Sequence, residues 1–240
     1  MNTLYRYDMI QACIDVVKKR KKKVNYVEIG VQTGYCFFKI KADRKLAVDP
    51  NFIIKPTRKI KAYIKNFSNF NNEFFELTSD DFFEQKKSYL EKIGGIDVIF
   101  IDGLHLYEQV TKDIENALRH LNEGGFILAH DCNPLSETAA VRAYTSEEVA
   151  AMNLPGWNNT WNGDGWKSVV EIRAKYKNLD VKVFNTDHGV GVITKGTPEK
   201  VLDFDPEQVE ALTYADLDKN REEFLNLKAP EEFSRFISNQ

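Results

Sequence analysis

The amino-acid sequence predicts an α/β fold: a doubly wound, mostly parallel sheet of about seven strands, helices on both faces, and an antiparallel hairpin at its C-terminal end. Two observations carry this. Residues 96–134, IDVIFIDGLHLYEQVTKDIENALRHLNEGGFILAHDCNP, read as a strand, a helix of about four turns and a second strand. Ile96 and the run from Val98 to Ile101 are almost continuously apolar, the pattern of a central parallel strand covered on both faces. Gly124 and Gly125 are expected to end the helix, with residues 126–129 as the next strand. The second observation lies earlier. Residues 25–30 form a strand running into a turn flanked by Gly30 and Gly34, after which residues 35–40 (YCFFKI) read as an apolar helix.

The remaining elements follow from periodicity and punctuation. An amphipathic helix spans about residues 3–20, with Leu4, Met9, Ile10, Cys13, Ile14 and Val17 on one face. The basic run at 18–23 (KKRKKK) then reads as a solvated helix end, where cations complement the dipole. Residues 45–48 make a strand stopped by Asp49 and Pro50, and a basic amphipathic helix covers about 56–66. Residues 73–77 are the third strand, and residues 78–81 (TSDD) cap a helix carrying Phe82, Phe83, Tyr89, Leu90 and Ile93. A helix is expected over roughly 136–152, then a long Gly-, Asn- and Trp-rich loop from Leu154 to Trp166, then a helix to Tyr176. Residues 181–184 and 190–193 form the hairpin. The expected division is a domain over 1–197 and a helical extension over 198–240.

Composition bounds what this fold can do. At 240 residues, with 42% hydrophobic and 29% charged residues, the chain has the make-up of a globular protein rather than a disordered one. A net charge of -3 gives no overall attraction to nucleic acid or anionic lipid. No signal-peptide pattern and no membrane-spanning apolar run is read, and three separated cysteines, Cys13, Cys36 and Cys132, suit a reduced, cytoplasmic protein. The partners expected are a small-molecule acceptor and, in a homo-oligomer, a second copy, with no nucleic acid and no membrane.

The chemistry gathers at strand ends. Asp102, His105, His130 and Asp131 all follow parallel strands and so emerge at the carboxyl edge, where open α/β sheets bind ligands; two of them, Asp102 and Asp131, would also suit plain turn capping. Asp49 ends the second strand nineteen residues after Gly30, placed to accept hydrogen bonds from ribose hydroxyls. Ser79 or Asp80 could reach an adenine amino group, or simply cap the helix. Trp157, Trp161 and Trp166 could wall a substrate, with Asp164 and Lys167 orienting it, although a surface salt bridge would use those two equally well.

With these residues in place, residues 24–196 resemble the class I S-adenosylmethionine-dependent methyltransferases, whose sheet is Rossmann-like. Glu28, Gly30 and Gly34 are similar to the family's glycine-rich first motif, with Gln32 in place of its middle glycine. More narrowly, Asp102-Gly103-Leu104-His105, Asp113, Gly124-Gly125, His130-Asp131 and residues 163–167 (GDGWK) resemble the subgroup called methyltransferase domain 24, which includes sugar O-methyltransferases and proteins labelled cephalosporin hydroxylase. The resemblance implies S-adenosylmethionine held by Glu28, Gly30, Gln32, Gly34, Asp49, Ser79, Asp80 and Asp102, and methyl transfer to a hydroxyl of a sugar or glycosylated metabolite.

It further implies His105 as general base, three residues after Asp102, with Asp102 and Asp131 at the reaction centre. Mg²⁺ would be held by Asp102 and Asp131, with His130 standing where the sugar enzymes have a carboxylate, a change that favours a softer metal or none. Trp161, Asp164, Trp166 and Lys167 would meet the acceptor. Two other readings stay open. A dinucleotide-dependent oxidoreductase would use the same strand-turn-helix unit but needs a G-x-G-x-x-G spacing that is absent, and a non-catalytic binding module would keep the fold alone.

Overall fold

Apolar side chains one helical turn apart build the first element. In the computed structural model, which describes residues 3–240, α1 (Arg6–Lys18) buries Met9, Ile10, Cys13, Ile14, Val16 and Val17 and packs on β4 (Ile96–Ile101). The rest of the chain runs β1 (Asn25–Ile29), β2 (Arg44–Val48), α2 (Pro56–Lys65), β3 (Asn72–Phe75), α3 (Ser79–Gln85), α4 (Lys87–Ile93), β4, α5 (Tyr107–His120), β5 (Leu121–Ala129), α6 (Ser146–Ala151), α7 (Trp166–Lys175), β6 (Leu179–Phe184), β7 (Val190–Lys195), α8 (Pro206–Ala211), α9 (Tyr214–Leu225), β8 (Leu227–Lys228) and α10 (Glu232–Ser238). The strand order is β3-β2-β1-β4-β5-β7-β6-β8. No helix among the described residues is long and apolar enough to cross a membrane, and all three cysteines are buried and free.

The chain divides into two units. One takes in the chain up to Gly103, Asp113–Leu128 and Ser234–Gln240; the other is Leu104–Lys112 and Ala129–Phe233. In the first, β1 pairs in parallel with both β2 and β4, and β2 with β3. Every residue of β1 and β4 is buried, as the nearly continuous apolar run of β4 requires. In the second, β6 and β7 form the expected antiparallel pair, from Leu179 opposite Lys195 to Phe184 opposite Val190. The 198–240 segment adds β8, parallel to β6, which makes the sheet one strand larger than the periodicity suggests. Two residues are too few to show a period.

Local bonding also departs from the sequence pattern in several places. Residues 35–40 make turns rather than a helix, bonded through Phe38 N to Gly34 O (3.2 Å) and Lys39 N to Cys36 O (2.9 Å). Cys36, Phe37, Phe38 and Ile40 are all buried there, so packing rather than helical bonding fixes a segment too short to nucleate. The helix after Thr78 is two helices broken at Lys86. A 3-10 turn, Phe67–Asn71, precedes β3, which ends at Phe75 rather than Leu77. The helix α5 stops at His120, and Gly124 and Gly125 lie inside β5 rather than ending the helix. Only residues 146–151 of the expected 136–152 helix form. Its early carbonyls are taken elsewhere: Ala139 O by the Asn162 (2.8 Å) and Gly163 (3.1 Å) amides, and Val141 O by the Trp161 indole (2.8 Å).

A polar cluster sits inside the first unit. Lys45 is fully buried and donates to Phe37 O and Asn69 Oδ1, both at 2.6 Å. Glu28, also buried, accepts from the Tyr26 hydroxyl. Burial moves both charges toward neutrality: it pushes the Glu28 carboxyl up to about 7 and the Lys45 ammonium down to about 7. The folded state therefore keeps the Glu28 proton up to about pH 7, whereas the unfolded chain releases it near pH 4.5. Stability from this group is full below the lower value and is lost as pH rises through that window. Denaturation from pH 5 to 7 is expected to show it, and Glu28→Gln should flatten the decline, by up to about 3 kcal/mol at pH 7.

Candidate active site

Two constellations of functional side chains form, one in each unit. In the first, β1 runs into Gly30, whose φ of +81° puts a hypothetical Cβ 2.0 Å from the Asp102 carbonyl oxygen. Only glycine lets the turn after β1 press this closely on the exit of β4. Gln32 takes a left-handed φ of 47°, costing about 1 kcal/mol. Its amide donates to Asp49 Oδ2 at 2.7 Å, and the Asn51 amide to Asp49 Oδ1 at 2.8 Å. Asp49 thus ties the glycine turn to the end of β2. A carboxylate offers about four lone-pair positions, so two backbone bonds leave it capacity for two hydroxyls.

Other residues expected around this turn have different surroundings. Glu28 bonds inward to Tyr26 and supports the turn from beneath. Thr78, rather than Ser79 or Asp80, is the cap of α3, its hydroxyl accepting from the Asp81 amide at 3.1 Å. Asp102 accepts from Arg6 Nη1 at 2.8 Å. Sequence reasoning missed Arg6, because one arginine in the first turn of an amphipathic helix carries no signal of its long-range partner.

In the second unit the imidazole of His105 is held on three sides. Its ring stacks on Trp161, centroids 4.8 Å apart and planes inclined by 22°. Its Nε2 lies 3.4 Å from Asp131 Oδ2. Behind it, Gly163 at φ +68° comes so close that a Cβ there would be 2.2 Å from the His105 carbonyl oxygen. Asp164 completes the clamp: it accepts from the Tyr107 amide at the start of α5 (2.9 Å) and from Arg142 Nη1 (3.0 Å). Arg142 in turn makes a two-point pair with Glu108 (2.7 and 2.8 Å), the bidentate geometry that suits a guanidinium.

Asp131 is itself fixed. It adopts a left-handed φ of 57°, accepts from Asn162 Nδ2 at 2.5 Å and lies 2.9 Å from His130 Nδ1. His130 Nε2 is 3.8 Å from Asp187, and its ring meets His188 edge-on at 5.9 Å. Asn162 has no individual sequence signal beyond its place in the Trp-rich loop. That loop proves to be a support for His105. Trp161 stacks on it, whereas Trp166 is buried at the head of α7, 1% exposed, and offers no surface to an acceptor. Lys167 donates to Glu210 O at 2.7 Å, and Asp164 is committed to the backbone and Arg142.

Residues 27–132 match the family described as a methyltransferase domain, and the fold matches solved methyltransferases. The O-methyltransferase from Bacillus cereus, solved in complex with SAH, superposes with a TM-score of 0.51 at 16% identity, over 80% of this chain and 82% of that one. The fold is the Rossmann-like one of solved methyltransferases. The cofactor-bound Rv0187 from MTB gives a TM-score of 0.51 at 13% identity, over 80% of this chain and 81% of that one. A protein of Acanthamoeba polyphaga mimivirus described as uncharacterized is 27% identical over 116 residues, 46% of this chain. The chain spans about half the length of that relative, 52%.

The close contacts at Gly30 and Gly163 make separable expectations. Gly163→Ala forces a methyl into the His105 carbonyl at a strained φ, and Gly30→Ala does the same at Asp102. Each should cost about 2–4 kcal/mol, read as a lower urea midpoint at unchanged m-value.

Proposed function

We propose that the protein is an S-adenosylmethionine-dependent O-methyltransferase for a small hydroxylated acceptor such as a sugar or glycosylated metabolite, with His105 as general base. The observation that carries this reading is the His105 imidazole, 19% exposed at its side chain and paired through Nε2 with Asp131. An imidazole that keeps a solvent-reachable edge and is oriented by a carboxylate is the arrangement of a catalytic base.

Bound S-adenosylmethionine supplies an electrophilic methyl group on a sulfonium. The residues present suit its nucleoside half: Asp49 retains acceptor capacity for ribose hydroxyls beside the glycine turn. Ser79 and Asp80 in the first turn of α3 are the residues proposed for the adenine end, and Gly30, Gln32 and Gly34 for the methionine end. Glu28 holds that turn through β1 rather than touching the ligand.

The acceptor hydroxyl is a weak nucleophile at neutral pH, so removing its proton as attack proceeds is the main chemical task left to the protein. The His105 imidazole takes that proton as attack proceeds. Asp131 stabilises the imidazolium that results, and Asn162 keeps Asp131 aimed. Trp161 fixes the ring plane. Positioning of this kind contributes as much as the proton transfer itself.

The resemblance also carries a metal reading, in which Asp102 and Asp131 would hold a divalent cation with His130 beside them. Two carboxylates and an imidazole suit Mn²⁺ or Zn²⁺ at least as well as Mg²⁺. Bound there, a cation would supply charge stabilisation for a developing alkoxide. His130 is better placed to hold Asp131 through Nδ1 than to act as a ligand, and Arg6 already supplies Asp102 with a positive partner.

Calorimetric titration of S-adenosylmethionine, followed by S-adenosylhomocysteine release across a panel of hydroxylated acceptors, tests the proposal. His105→Ala is expected to leave cofactor affinity intact and lower turnover about a hundredfold to ten-thousandfold; unchanged turnover removes His105 as base. Asp49→Ala should instead weaken cofactor binding by about tenfold or more. Turnover lost to a chelator and restored by Mn²⁺ or Mg²⁺ would favour the cation over the base.

A further inference from the structure

The net charge of -3 conceals a local surface of opposite character. Between Pro50 and Glu73 the chain has five cations, Lys55, Arg58, Lys59, Lys61 and Lys65, and no acid. The same stretch forms α2 and the 3-10 turn after it, and α2 buries none of its residues. Ile60 is 62% exposed and Ile64, one turn on, 71%. Phe67 and Phe70 continue the strip at 78% and 66%, their rings stacked 6.3 Å apart. Single exposed apolar residues are ordinary, but four within eleven residues mark an interaction surface.

The helix has a body side and an outer side. Ala62 O accepts from Asn69 Nδ2 at 3.0 Å, Arg58 donates to Thr33 O at 3.1 Å, and Lys59 Nζ lies 4.6 Å over the Phe74 ring. These contacts attach α2 to the first unit. The ammonium groups of Lys55, Lys61 and Lys65 make no hydrogen bond or ion pair among the described residues, and Lys61 and Lys65 each follow an exposed isoleucine in sequence. Unpaired ammonium groups beside an apolar strip are the arrangement of a helix lying in a lipid interface, with isoleucine and phenylalanine in the acyl boundary and lysine at the headgroups.

We propose that α2 and the Phe67–Asn71 turn dock this protein on an anionic lipid bilayer. The charge selects the partner: the exposed Lys55, Lys61 and Lys65, in a stretch without an acid, complement an anionic leaflet. The helix half of the strip, Ile60 and Ile64, favours lipid over nucleic acid, because isoleucine offers a base no stacking face. A ten-residue helix with this little apolar area gives reversible attachment rather than insertion. The surface is independent of the catalytic reading.

Co-sedimentation of the full chain with phosphatidylcholine vesicles, with and without phosphatidylserine, is the test. The protein should pellet with the mixed vesicles, stay in solution with phosphatidylcholine alone, and be released by high salt. Lys61→Gln with Lys65→Gln should lower partitioning roughly thirtyfold, and Ile60→Asn with Ile64→Asn should abolish it while the melting temperature and cofactor affinity hold. No partitioning on the mixed vesicles, or partitioning that both variants retain, overturns the proposal. So does a preference for single-stranded oligonucleotide over vesicles, or a solution dimer that the isoleucine variant dissociates.

Discussion

The site in the second unit depends on one carboxylate that touches no reactant. Asp164 holds the amide of Tyr107 at the start of α5, and the same loop presses Gly163 on the His105 carbonyl and Trp161 on its ring. His105 lies on a short connection with little secondary structure of its own. Such a residue keeps a fixed direction only if its neighbours over-determine it. Arg142 spreads the charge of Asp164 to Glu108, so the clamp is a network rather than a single bond. Asn162, between Trp161 and Gly163, places Asp131 by the same loop movement that places His105.

The first unit solves a different problem, how to bring the turn after β1 against the exit of β4 without losing the fold. Gly30 does so by lying against the Asp102 carbonyl. Gln32 would be strained there if left alone, but its amide is held by Asp49 and its carbonyl by the Ile53 amide at 3.1 Å. Beneath the turn, Glu28 and Lys45 are buried where both prefer to be uncharged near neutral pH. That is a cost in stability, offset in part by Tyr26, Asn69 and the Phe37 carbonyl. The polar core under the glycine turn thus trades stability for a defined geometry at the end of β1.

The exposed α2 surface shows how an average misleads. Acids elsewhere make the whole chain weakly anionic, yet charge acts over about 10 Å at moderate ionic strength, so a patch is felt by its partner as a patch. Amphipathic periodicity is visible in residues 56–66, but it does not say which face is covered. Neither isoleucine nor lysine at those spacings distinguishes a helix that packs its apolar side inward from one that turns it out.

The sequence by itself determined the central strand at residues 96–101, because full burial leaves an apolar run broken only by Asp97, and it determined the terminal hairpin through its alternation and its turn. It also placed Gly30, Asp49, Asp102, His105 and Asp131 at strand ends, since those positions follow from element boundaries alone. What it left undecided were contacts between residues far apart in the chain. Arg6 meets Asp102 across 96 positions, and Asp164 meets Tyr107 across 57. The expected helix at 136–152 shortens because loop amides capture its carbonyls, and Trp166 becomes core rather than wall. Local sequence encodes periodicity and turn chemistry; which distant donor satisfies a given carbonyl or carboxylate is decided only when the chain has folded.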